Sequence, residues 1–90
     1  MNNIKGCFVL SKAGHDKGNI YVVLNESNGY VFLSDGKYKL IDNPKKKKIR
    51  HIELLGKTDK DLSEKINNNI EVKNEEIKRS IKCYKRDIYN

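Results

Sequence analysis

Apolar residues gather in short runs through the first half of the chain and recur at helical intervals in the second. Cys7-Phe8-Val9-Leu10 leads into a polar stretch from Ser11 to Asn19. Ile20-Tyr21-Val22-Val23-Leu24 follows, rich in β-branched and aromatic types and flanked by Asn and Gly, as strands are. Asn25-Glu26-Ser27-Asn28-Gly29 reads as a turn, with Asn28-Gly29 supplying the positive φ of a hairpin connection. Tyr30 to Ser34 is the next strand, and Asp35-Gly36 is a second hairpin signal. Lys37 to Leu40 reads as a short fourth strand and Ile49 to Leu54 as a fifth. In the fifth, Ile49, His51 and Glu53 lie on one side and Arg50, Ile52 and Leu54 on the other. Short strands this closely spaced predict a mainly β fold, a small sandwich or barrel. A five-stranded barrel is favoured, because closure removes edges that so small a sheet cannot otherwise protect. The expected core is Phe8, Leu10, Val22, Leu24, Val31, Leu33 and Ile52.

The composition changes after Gly56. Thr58 to Ile66 reads as a short capped helix ended by Asn67-Asn68-Asn69. From Asn74, Ile77, Ile81, Tyr84 and Ile88 recur at intervals of four, three and four, one stripe of a helix. Asn74 is the expected N-cap, with Glu75 and Glu76 in the first turn. The chain thus divides into a β unit over 1–56 and a helical C-terminal extension over 57–90, its stripe packed on the barrel. There are no internal repeats.

Ninety residues make a single domain with a modest core, expected to be a monomer. Nineteen Lys and Arg against twelve Asp and Glu give a formal charge of +7, which favours polyanionic partners and salt-sensitive association. The start, Met1-Asn2-Asn3-Ile4-Lys5-Gly6, has no apolar segment of the secretory kind, so no leader is predicted. The longest apolar run, the five residues Ile20 to Leu24, is far below the roughly 20 that span a bilayer, so no membrane association is expected. Cys7 and Cys83 have no CxxC spacing, and two free thiols in a reducing cytoplasm are the simplest reading.

The segment from Gly6 to Leu24 resembles the KOW motif. Its physical sense is a strand, a tight loop carrying Gly14 and Gly18, and a partner strand. Glycines allow backbone conformations closed to other residues and bring loop N–H groups toward a ligand. Lys12, His15 and Lys17 sit on that loop, which suits a phosphate. Further on, Asp35-Gly36-Lys37 followed by Asn43-Pro44-Lys45-Lys46-Lys47-Lys48-Ile49-Arg50-His51-Ile52 is similar to the second signature of eukaryotic- and archaeal-type large-subunit ribosomal proteins with this motif. The resemblance covers about residues 4–56. It implies an SH3-like barrel, a cytosolic location and contact with ribosomal RNA. It matches Gly14, Asp16, Lys17, Gly18, Pro44, Lys45, Lys46, Lys47 and His51 to family positions. His15 departs from it, since the relatives commonly carry Arg there, with its permanent charge and bidentate donors. The last 34 residues carry no part of the resemblance.

Apart from any family, Lys37, Lys39, Lys45, Lys46, Lys47, Lys48 and Arg50 fall within fourteen residues that contain a single acid, Asp42. With Pro44 stiffening the approach, the lysine run is expected to sit on a structured loop and to meet a phosphate backbone. Lysines position a backbone without reading its sequence. Tyr21, Tyr30, Phe32 or Tyr38 could add base stacking, Tyr38 between two lysines being the foremost. The expected RNA-contacting residues are therefore Lys12, Gly14, His15, Lys17, Gly18, Lys37, Tyr38, Lys39, Lys45, Lys46, Lys47, Lys48 and Arg50. Asp16 is expected to bond local backbone N–H groups.

Catalysis is not expected, because His15 and His51 stand in no Ser-His-Asp or Cys-His arrangement. Cys7, Cys83, His15 and His51 lack the pair spacing of a metal site, so no metal or other cofactor is expected, nor a small-molecule substrate. The sequence predicts a non-catalytic RNA-binding protein. The alternative is a protein-interaction module of the translation or transcription machinery using the barrel and the C-terminal helix.

Overall fold

The computed structural model describes residues 3–89. Met1 and Asn2, in the segment where no secretory leader is predicted, and Asn90, in the expected helical extension, lie outside the described residues. The chain is mainly β: a five-strand antiparallel sheet and two helices. The strands are β1 (Cys7–Ser11), β2 (Ile20–Ser27), β3 (Tyr30–Ser34), β4 (Lys45–Lys48) and β5 (Ile52–Thr58), in the order β4-β3-β2-β1-β5. A 3-10 turn, Ile49–His51, joins β4 to β5, and α1 (Lys60–Asn67) and α2 (Asn74–Tyr89) follow.

The β2–β3 hairpin forms where the sequence places it. Ser27 pairs with Tyr30 across Asn28 (φ 53°) and Gly29 (φ 82°), the two positive φ angles that match the turn to the twist of its strands. The expected fourth strand does not form. The Asp35 carboxylate accepts hydrogen bonds from the backbone N–H groups of Lys37, Tyr38 and Lys39 at 2.8–2.9 Å, so these donors close a turn instead of entering a ladder. The fourth strand is instead the lysine run itself, paired with β3 in the register Tyr30↔Lys48, Val31↔Lys47, Phe32↔Lys46 and Leu33↔Lys45. The fifth strand starts three residues later than expected, because Ile49–His51 makes the 3-10 turn, and it runs through Gly56. Leu54, expected on the buried side with Ile52, is 54% exposed. The pairing Ser11↔Ile52, Leu10↔Glu53 and Val9↔Leu54 is regular, so Leu54 keeps the side of Ile52. Among the described residues, however, β5 ends the strand order and has no strand on its outer side to cover it. The register shift falls beyond Leu54, between Cys7 and Val9. Barrel closure is not seen among the described residues: β4 and β5 end the strand order unpaired with each other.

Side chains alternate across a strand, and β1 and β2 bury both of their faces. On one face Ile4, Val9, Tyr21, Val23, Val31, Leu33 and Ile52 form one core cluster. On the other, Phe8, Ile20 and Val22 meet Leu62 and Ile66 of α1 and Ile77 and Ile81 of α2. The expected core list drew on both faces as though they were one. Five of its members are buried, whereas Leu10 and Leu24 are only partly covered at the margin of the helix-side core. Tyr84 extends that core by stacking on Phe8, ring centroids 4.7 Å apart, while Ile88 at the end of the stripe is 50% exposed.

The helix ends are held by named side chains. Asp59 caps α1, accepting from Leu62 N through one carboxylate oxygen and from Ser80 Oγ of α2 (2.7 Å) through the other. Asn69 takes the left-handed conformation beyond α1 (φ 57°). Asn74 does not act as the cap of α2. Its side-chain oxygen accepts from Ile41 N (2.8 Å), and the cap comes from Glu76, whose carboxylate accepts from Lys73 N (2.9 Å) while its other oxygen holds Lys65 (2.6 Å). Those bonds, from Lys65 first and the Lys73 backbone second, hold the Glu76 carboxyl below its ordinary pKa.

Candidate nucleic-acid interface

The 11–19 loop is closed by its own backbone. Ser11 N donates to Asn19 O, Gly18 N to Ser11 O, Asn19 N to Asp16 O and Lys17 N to Gly14 O. The N–H groups of Lys17 and Gly18, expected near a ligand, are therefore bonded to the protein's own carbonyls. The Asp16 carboxylate, expected on local backbone N–H groups, instead gathers side chains. One oxygen accepts from Ser11 Oγ (3.0 Å) and Lys47 Nζ (2.8 Å), and the other from Tyr21 OH (3.0 Å). Burial alone would raise this carboxyl. The hydrogen bonds from Lys47, Ser11 and Tyr21, with the Lys47 charge, outweigh it and bring the pKa from 3.8 down to about 2. The Tyr21 phenol is pushed from 10.0 up to about 12, by burial first and then by the Asp16 charge beside it, against a hydrogen bond from Asn19.

Lys47 is consequently a structural residue. Its side chain is 9% exposed, and its ammonium also donates to Ala13 O at 2.8 Å. This contact joins β4 to the glycine loop, and Lys12 N donating to His51 O ties the loop to the 3-10 turn as well. The expected loop for the lysine run is a strand, so neighbouring lysines face opposite sides of the sheet. Lys46 and Lys48 are exposed, and Lys45 and Lys47 half-buried. The four lysines do not make one patch. Lys46 lies over the Tyr30 ring, 4.5 Å from its centroid, and Lys48 and Arg50 border a cleft of about 270 Å³ with Tyr30.

Lys12, Gly14, His15, Lys17 and Gly18 are on the loop, Gly14 with Lys47 Nζ 3.5 Å from where its Cβ would be. Lys37, Tyr38 and Lys39 lie on the Asp35 turn and not in β4, and Lys37 and Tyr38 share a cleft with α2. Lys39 is half-buried, and its carbonyl accepts from Ser34 Oγ (2.7 Å). Tyr38 is 76% exposed, whereas Tyr21 is 1% exposed and bonded to Asp16. Among the described residues the ion pairs are Lys47–Asp16 and Lys65–Glu76, so Lys12, Lys17, Lys45, Lys46, Lys48 and Arg50 have no carboxylate partner there. Sequence reasoning missed Ser11 and Tyr21 as anchors of Asp16, because a Tyr inside an apolar strand run reads simply as core.

Among the described residues no three or more His, Cys, Asp or Glu gather so as to hold a metal ion, and both cysteines are free. No helix there is long and apolar enough to cross a membrane. No protein-family model matches the chain, and no curated protein sequence matches it.

Proposed function

We infer that this protein is a non-catalytic RNA-binding module whose sheet is an open form of the SH3-like barrel that the KOW resemblance implies. The observation that carries the reading is the Lys47–Asp16 joint (2.8 Å), which fixes the glycine loop against β4. Lys12 and Lys17 on one side of the joint, and Lys46, Lys48 and Arg50 on the other, are thereby cations on a rigid frame without carboxylate partners among the described residues. Charges on a fixed backbone lose less freedom on meeting a polyanion than charges on a loose tail. Lysine on an edge strand also discourages pairing with another sheet, a role compatible with phosphate contact. Such cations hold a ribose-phosphate chain by its shape and charge, and ribosomal RNA is the target that the resemblance implies.

The test is an RNA titration at rising salt. Contact with about five phosphates gives a log–log slope of roughly −3 to −4. Reversing Lys46 and Lys48 to Glu, with Lys47 left in place to keep Asp16 paired, should make that slope shallower by about 1.5 and abolish tight binding. Binding insensitive to salt, or unchanged in the variant, overturns the reading. One observation favours a protein-interaction module instead: an apolar cleft of about 530 Å³ that includes Leu24, Phe32, Ile41, Ile66, Ile70 and Val72. Partners retained after ribonuclease treatment of a pull-down would select that alternative.

A further inference from the structure

The second helix, which the sequence reads as packed on the sheet or, in the alternative, as part of a protein-interaction surface, carries a charged ridge beside its apolar stripe. Lys78, Lys82 and Lys85 stand one position after Ile77, Ile81 and Tyr84, at i, i+4 and i+7, and all three are exposed. They run about 10 Å along the helix axis. Opposite them lies the Asp35 turn, and between the two is a cleft of about 340 Å³ with Ile20 and Ile81 in its lining.

The turn is clamped to the helix. Gly36 lies so close to α2 that a Cβ there would come within 2.3 Å of Asn74 O and 2.7 Å of Lys78 N. Asn74 Oδ1 accepts from Ile41 N at 2.8 Å just beyond the turn. The acid of the cleft, Asp35, has one carboxylate oxygen taken up by three backbone N–H groups at 2.8–2.9 Å. Tyr38 therefore stands at a fixed place beside the lysine ridge, 76% exposed. Lys37 Nζ lies over its ring at 5.0 Å from the centroid, which leaves the opposite ring face for a flat partner. None of Lys37, Lys78, Lys82 and Lys85 has a carboxylate partner among the described residues.

We propose that this cleft binds single-stranded RNA, one unpaired base stacking on Tyr38 over the apolar floor of Ile20 and Ile81 while Lys78, Lys82 and Lys85 hold the adjoining phosphates. The inference rests on the RNA-binding reading and adds to it a site on a different part of the molecule, with a different form of RNA. A cationic track combined with a ring that can take a π-face is the chemistry of unpaired strands; a duplex keeps its base faces inside the stack. Asn19, at the end of the glycine loop, also lines the cleft, so the two surfaces adjoin.

Fluorescence anisotropy with a labelled oligouridylate and a labelled RNA hairpin tests this on the full chain. Tyr38→Ala should weaken oligouridylate binding by roughly ten-fold, with Tyr38→Phe close to the starting protein, because the ring face and not the hydroxyl makes the contact. Replacing Lys78, Lys82 and Lys85 together by Gln should make the oligouridylate salt slope shallower by about 2. These side chains are exposed, so thermal melts should show the fold unchanged. Neither set should alter hairpin binding more than about two-fold, whereas Lys46 and Lys48 reversal should remove it. The cleft is refuted, with the RNA-binding reading intact, if only the β4 reversal lowers binding. Displacement of oligouridylate by polyglutamate regardless of Tyr38 also refutes it, by showing a surface that takes any polyanion, acidic proteins included. Loss of oligouridylate binding in the cleft variants, with hairpin binding untouched by the β4 reversal, supports the cleft and overturns the β4 surface. No binding of either RNA overturns both.

Discussion

The glycine loop of residues 11–19 and the turn of residues 35–39 draw on the same residue types, a glycine, lysines and an aspartate, yet they are held by opposite means. In the turn, Asp35 accepts from N–H groups two to four residues ahead, so the carboxylate and the donors it satisfies travel together in the sequence. In the loop, Asp16 accepts from Ser11 and Tyr21 on the two flanking strands and from Lys47, 31 residues away. The first aspartate shapes its own segment. The second closes a joint between distant segments, and in doing so takes a lysine out of the charge available to a ligand. A like-for-like count of basic residues therefore overstates the free charge of one region and says nothing about the other.

The glycines of the two regions give the largest contrast. Gly36 has φ 72° and no room for a methyl group against the backbone of α2, while Gly18 has φ 94° and nothing within 4 Å of where its Cβ would be. Gly36→Ala should cost about 3 kcal/mol, combining the left-handed backbone with overpacking against main chain that cannot yield. Gly18→Ala should cost only about 1 kcal/mol, from the backbone alone. Urea unfolding of the two variants measures both, and equal costs would mean that the turn is not clamped to the helix.

The aspartates come next. Asp16→Ala leaves Lys47 nearly buried without its carboxylate and strands the Tyr21 hydroxyl, while Ser11 Oγ still has Ala13 O at 3.1 Å to donate to, for a loss of about 2–3 kcal/mol. Asp35→Ala leaves its three N–H groups where water can reach them and should cost about 1 kcal/mol. Coupling Asp16→Ala with Lys47→Met should restore part of the first loss in a double-mutant cycle, whereas full additivity would remove the joint.

The same joint also sets a pH dependence, smaller than the loss on removing Asp16 itself. The Asp16 carboxyl is depressed in the folded state, so its contribution is present above its unfolded value of 3.8 and is lost as pH falls through about 2. Up to about 2 kcal/mol should disappear between pH 5 and pH 2, on the order of what this shift can supply. The Asp16→Ala variant should lack that part of the acid slope. At the other end, Tyr21 is raised in the folded state, so its share is complete below 10.0 and fades as pH climbs toward about 12.

Local chemistry alone determined much of this molecule. The Asn28-Gly29 hairpin, the two helices after residue 57 and the termination of α1 in its asparagine run each depend on neighbouring residues, and each is legible in the pattern. The residue types of the candidate interface were legible too, since glycines in a turn and lysines in a run are visible one after another. Tertiary structure decided what those residues do. Only the pairing of Lys45–Lys48 with β3 turned a lysine run into a strand, and alternation then sent its members to opposite faces. Only the fold brought Asp16 to Lys47 and the Asp35 turn to α2. A single periodicity also could not show that β1 and β2 bury both faces, because the second face is covered by helices that lie some forty residues or more further along. The physical reason is the same throughout: caps and turns are short-range hydrogen bonds, whereas burial and charge pairing depend on which distant segment arrives opposite.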